Sequence, residues 1–119
     1  VLFRVDPRSA VPLGDQIAAA VRGAIADGSV RAGERLPAGR ELAASLGVNV
    51  HTVLRGYQRL KEEGLIELRR GRGAVVTGAA SPARARLGEA AEHLIAQARQ
   101  LGLTDDEIVG VVRQGLAPR

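Results

Sequence analysis

The run AGRELAASLGVNVHTVLRGYQRLKEEG occupies residues 38–64 and carries two helical periods separated by a glycine. Leu42, Ala43 and Leu46 fall on one side of a helix from about Ala38 to Leu46, and Gly47 supplies its stop. Asn49 is a suitable N-cap for a second helix reaching about Glu63, on which Val53, Gly56, Tyr57 and Leu60 share a face. His51, Thr52, Arg55 and Arg59 lie off that face, and Gly64 closes the helix. Two short helices joined by a tight glycine-containing turn form a helix-turn-helix.

Working outward, Leu65-Ile66-Glu67-Leu68 alternates, Arg69-Arg70-Gly71-Arg72-Gly73 forms a basic tip, and Ala74-Val75-Val76 resumes the β pattern. A hairpin in that place makes the motif a winged helix. Upstream, residues 29–37 contain Gly33 and Pro37 and read as a turn. Before them Ile17, Val21, Ala24 and Ile25 recur at helical spacing between Pro12 and Gly28. Residues 2–6 alternate up to Pro7 and are expected to form a short strand.

Past Gly78 the pattern changes. Ser81-Pro82 opens a helix on which Leu87, Ala91, Leu94, Ile95, Ala98 and Leu101 make a heptad-like stripe ended by Gly102. Thr104 to Glu107 is a capping box for a last helix with Ile108, Val111, Val112 and Leu116 on one side. The expected fold is mainly α with a small β-hairpin wing. A winged helix-turn-helix spans 1–78, and a two-helix C-terminal dimerisation extension spans 79–119.

Composition supports this and removes alternatives. Hydrophobic residues make up 45% and aromatics 2%, so the core is built from aliphatic residues and alanine. Scarcity of rings argues against single-strand binding, which stacks bases on aromatics. With no cysteine there is no disulfide frame or thiolate metal site. Glu89 and His93 stand one helical turn apart, too few ligands for a metal, and no cofactor is expected. A Gly-rich phosphate loop needs a following helix, whereas a strand follows 71–73. No apolar run approaches the roughly 18 to 20 residues of a membrane span and no signal peptide is recognisable, so a cytoplasmic location is expected.

Charge is concentrated. Residues 31–77 hold eight arginines and a lysine against five glutamates, so the whole net charge of +4 sits there. That matches an electrostatic footprint on phosphate, or equally a solvated basic face. The order of motifs favours the former.

Residues 12–76 resemble the DNA-binding domain of the GntR family of bacterial transcription regulators. The resemblance rests on Pro12-Leu13, Gln16-Ile17, Ala32 to Pro37, Arg40 to Ala43, Leu46 to Val48, Glu63 to Ile66 and Arg70 to Gly73. Asn49, Thr52-Val53, Arg55, Tyr57 and the short tail are similar to the YtrA subfamily. The resemblance implies a regulator whose partners are a double-stranded DNA operator and a second copy of itself. Many members carry arginines where this chain has Val50 and Leu54, so that part of the contact set is missing here. Gly14 replaces a commoner aromatic.

A recognition helix enters the major groove by its N-terminus. The expected DNA-binding residues are Arg40, Asn49, His51, Thr52 and Arg55, with Arg70, Gly71, Arg72 and Gly73 at the wing tip. Arg55 is placed to fork onto a guanine. Arg40 is expected to touch DNA because it matches a family arginine. Tyr57 reads as core, Arg69 as a strand-edge charge, and Arg59 and Lys61 as partners for Glu62 and Glu63. The expected dimer interface is Leu87, Ala91, Leu94, Ile95, Ala98 and Leu101. The rival readings are a protein-binding winged helix, separated by a salt-dependent DNA titration, and an enzyme, for which no catalytic set assembles. The sequence names no effector.

Overall fold

The computed structural model describes residues 3–78 and 81–118. It consists of five helices and one hairpin: α1 (Leu13–Ala26), α2 (Gly39–Leu46), α3 (Val50–Glu62), β1 (Ile66–Arg69), β2 (Gly73–Val76), α4 (Pro82–Gln100) and α5 (Asp105–Leu116). The chain divides into two compact units, Val1–Gly88 and Glu89–Arg119, so the first unit takes in the opening turns of α4.

In the first unit, α1 is an alanine-rich helix that buries Ile17, Ala18, Val21 and Ile25. It packs on α3, whose buried face is the expected Val53, Gly56, Tyr57 and Leu60. Contact is closest at two glycines. A β-carbon on Gly56 would lie 2.8 Å from the Gly14 carbonyl oxygen and 3.1 Å from Ile17 Cγ2. One on Gly14 would lie 3.3 Å from the Thr52 carbonyl oxygen. An aromatic at position 14 would hold these backbones apart, which gives the departure at Gly14 its physical reason. Gly47, at φ 70°, ends α2 in the left-handed region and turns the chain into α3.

The hairpin pairs β1 and β2 antiparallel with Ile66 opposite Val76 and Arg69 opposite Gly73. Ile66, Ala74 and Val76 face the core beside Leu65. The turn at 29–37 does more than reverse the chain. Leu36 N–H donates to Ala74 O at 2.9 Å, Val76 N–H to Glu34 O at 2.8 Å, and Arg35 bridges to Val75. It acts as a third edge of the wing.

The expected strand at 2–6 is not formed over the described residues 3–6. The Gln16 side chain takes up the backbone that a strand partner would have satisfied. Its Oε1 accepts from Asp6 N–H at 2.7 Å, and its Nε2 donates to the carbonyls of Asp6 and Val11 at 2.9 and 2.8 Å. Phe3 is buried in the core, so the segment is anchored by one ring and one amide.

One charged residue lies inside. Arg22 is 1% exposed and forks onto Glu63, with Nε–Oε1 and Nη2–Oε2 both 2.7 Å. Arg59 meets Glu63 at 3.9 Å and Asp15 at 2.8 Å, so the pair belongs to a network joining α1 to α3. Gly88 packs against it, since a β-carbon there would lie 2.9 Å from Arg22 Cδ.

The second unit holds the remainder of α4, a turn through Gly102, and α5. The capping box is present: Thr104 Oγ1 accepts Glu107 N–H at 3.3 Å, and Glu107 Oε1 accepts Thr104 N–H at 3.0 Å. Arg99 pairs with Asp105 at 2.6 Å. Ile108 and Ala98 are buried within this unit, whereas Val111, Val112 and Leu116 are exposed. Ala98, expected at a dimer interface, is buried within the single chain, and the turn folds back to donate Leu103 N–H to its carbonyl at 3.1 Å.

The α1–α3 crossing tolerates no added atom. Gly56→Ala should destabilise the protein by about 1 to 3 kcal/mol, as overpacking does. A urea midpoint equal to that of the unaltered chain would contradict the crossing.

Candidate nucleic-acid interface

With one face of α3 buried, its outward face is fixed by helical geometry. His51, Leu54, Arg55 and Gln58 are exposed there, and Thr52 is half-buried. Asn49 is the cap it was expected to be: its side chain accepts His51 N–H at 2.8 Å, and its main-chain carbonyl accepts Thr52 N–H at 3.0 Å. Two of the N–H groups that open α3 are therefore satisfied within the chain.

The first turn of α2 comes close to that of α3. A β-carbon on Gly39 would lie 3.1 Å from Leu54 Cδ2 and 3.7 Å from Val50 Cγ2. Arg40 follows Gly39 and is exposed, so it is carried by a turn packed directly on α3. The wing approaches from the other side of an open cleft, which Arg72 and Gly73 line together with Ala38, Glu41, Leu36 and Phe3. At the wing tip Gly71 and Gly73 have φ of 79° and 71°, the left-handed conformation of a tight turn. Arg35 Nε donates to the Arg72 carbonyl oxygen at 2.7 Å and ties that tip to the segment before α2.

The arginines now separate. Arg22 and Arg59 serve the α1–α3 network, and Arg69 pairs with Glu67 at 2.8 Å along its own strand. Arg40, Arg55, Arg70 and Arg72 are exposed, and among the described residues none of them forms an ion pair. Sequence reasoning missed the roles of Arg22 and Arg35, because nothing local to either residue marks it as buried or as an anchor. Among the described residues no group of three or more His, Cys, Asp or Glu is placed to hold a metal, and no helix is long and apolar enough to cross a membrane.

Tyr57 fixes the approach of α2. It is 2% exposed, and its hydroxyl donates to the Pro37 carbonyl at 2.6 Å. Burial, and then the charge of Glu41, pushes that hydroxyl up to about 12.

A capped recognition helix, a supporting helix packed on its first turn and a basic hairpin wing define a winged helix-turn-helix regulator with a DNA-binding domain. Residues 13–76 match the bacterial regulatory proteins of the gntR family. The chain belongs to the GntR family and, within it, to the YtrA subfamily. It is 36% identical over 105 residues to the HTH-type transcriptional regulator Rv1152 of Mycobacterium tuberculosis, covering 88% of this chain and 86% of that protein. It is 37% identical over 76 residues to the HTH-type transcriptional repressor YtrA of Bacillus subtilis, covering 64% and 58%. Among solved structures it is similar to YtrA from Sulfolobus acidocaldarius, a GntR-family transcription factor, with TM-score 0.61, 32% identity and 96% of each chain covered. The AraR DNA-binding domain in complex with operator ORX1 matches with TM-score 0.56 and 27% identity, over 64% of this chain and 93% of that one.

Tyr57 is the only tyrosine, so its phenolate absorbance can be followed alone. Its folded value stands above the ordinary one, so its contribution to stability is complete below pH 10.0 and is lost as pH rises toward about 12. The titration midpoint should lie near 12 in the folded chain and near 10.0 in urea. A folded-state midpoint at the ordinary value would show that the hydroxyl is not buried beside Glu41 as described.

Proposed function

We propose that the chain is a homodimeric repressor that binds a pseudo-palindromic operator. The observation that carries the reading is the set of four exposed arginines, Arg40, Arg55, Arg70 and Arg72, that sit on α2, α3 and the wing with no acidic partner among the described residues. A guanidinium with its five donors unused is suited to phosphate oxygens or to the O6 and N7 of guanine. In this reading Arg55 and His51 meet base edges, while Thr52 and Arg40 meet base edges or phosphate. Asn49 supports the helix start against the backbone, and Arg70-Gly71-Arg72-Gly73 follows the minor groove or its rail. The names of the relatives support it: the similar Bacillus protein is called a repressor, and the similar AraR domain was solved on an operator.

Dimerisation has its own support. A net charge of +4 per chain sustains few phosphate contacts, and affinity built on so few fades quickly with salt. Two half-sites read by a two-fold dimer supply what one copy lacks. The tail offers the apolar area: Leu87 is 70% exposed and Leu101 79%, Leu94 and Ile95 are half-buried, and Ala91 is exposed between them. On α5, Val111, Val112 and Leu116 are exposed as well.

Arg40→Ala and Arg55→Ala should each weaken operator binding by about 1 to 3 kcal/mol if the side chains read bases. Undiminished gel-shift affinity for both variants would remove the contact assignment. Sedimentation at micromolar concentration should give twice the chain mass, and a monomer there would overturn the dimer.

A further inference from the structure

We infer that Leu54 is a specificity-determining residue that reads a thymine through its C5 methyl group. The inference rests on the proposed DNA reading. Leu54 is 45% exposed on the outward face of α3, between the buried Val53 and the exposed Arg55. A lone exposed leucine is ordinary on a protein surface, but this one is held. Its Cδ2 lies where a β-carbon on Gly39 would come within 3.1 Å, so one side of the isobutyl group rests on the backbone that opens α2. The rest of the side chain is exposed, Arg40 follows Gly39 and Arg55 follows Leu54 along the chain, and neither arginine forms an ion pair among the described residues.

The chemistry of that position selects its occupant. A phosphate offers an isobutyl group nothing, and a hydrogen-bonding base edge pressed against it would lose water without gaining a partner. In the major groove the thymine methyl is the one apolar group a base presents. Leu54, next to Arg55 on α3, therefore meets a thymine in the half-site that Arg55 reads, and it disfavours cytosine, which lacks the C5 methyl. A protein partner would have to cover the same leucine together with both guanidinium groups.

The test uses the full chain and the half-site selected from a random duplex pool. Each thymine in turn is replaced by deoxyuridine, which removes only the methyl, and binding is read by fluorescence anisotropy. One position per half-site should weaken the unaltered protein about fourfold, the effect of one buried methyl. Leu54→Ala should bind the two duplexes at that position equally. The deoxyuridine arm needs no variant, so it can overturn the inference even if Leu54→Ala folds poorly. Indifference of the unaltered protein to every methyl, or the same loss in Leu54→Ala, overturns the inference while leaving the DNA reading intact. A pool from which no duplex is retained overturns both.

Discussion

The backbone contact between Gly14 of α1 and Gly56 of α3 sets the geometry on which the rest depends. Helices normally pack with their axes about 8 to 10 Å apart, at a distance set by the side chains between them. Here Gly56 brings no side chain to the contact, so the Gly14 carbonyl oxygen and Ile17 Cγ2 come within 2.8 and 3.1 Å of the place a β-carbon of Gly56 would take. That contact fixes the rotation of α3 about its own axis. Once Val53, Tyr57 and Leu60 turn inward, His51, Leu54, Arg55 and Gln58 must turn outward. The functional face is thus a consequence of how α1 is packed, although α1 itself supplies none of the proposed contacts.

The Arg22–Glu63 pair works at the other end of the same interface. Burying an ion pair costs desolvation that its attraction only partly offsets, so the pair is a weak source of net stability. Its geometry is demanding, however: two parallel hydrogen bonds of 2.7 Å with Gly88 pressed against them leave little room for sliding. The pair therefore registers α3 against α1 and against the opening turns of α4. Arg69–Glu67 is an exposed pair within one strand, and pairs of that kind contribute little. Charge counting treats these arginines alike. Packing divides them into those committed to the fold and those left exposed and unpaired among the described residues.

The same division explains what the sequence could reveal. Signals contained within a few residues were legible: Asn49 caps α3, Gly47 ends α2, Thr104 and Glu107 form a reciprocal box, and the hairpin turns at its glycines. Features that need two distant segments were not. The alternation at 2–6 looks like a strand, but whether a strand forms depends on a partner, and Gln16 supplied a competing one. Glu34 to Leu36 read as a turn because their hydrogen bonds lie with β2, far along the chain. Arg22 carries no local mark of burial, and Ala98, a position of the expected stripe, is buried within the single chain. In the candidate site, the positions of Arg40, Arg55 and the wing followed from the motif frame, while the hold of Gly39 on Leu54 required the packing of α2 on α3.

Those long-range contacts also link the three proposed contact elements into one support. Tyr57 on α3 holds the Pro37 carbonyl, and the preceding residue, Leu36, donates to Ala74 in β2. Arg35, one residue earlier, reaches the carbonyl of Arg72 at the wing tip. The short segment 35–37 therefore ties recognition helix to wing, and it leads directly into α2 with Arg40 on its first turn. Each ordered side chain or loop that must be immobilised on binding subtracts from affinity. Backbone elements joined beforehand leave only the exposed side-chain ends to be ordered, which suits a small chain that must gain specificity from few contacts. The wing is accordingly better regarded as an extension of the helix-turn-helix support than as a separate arm.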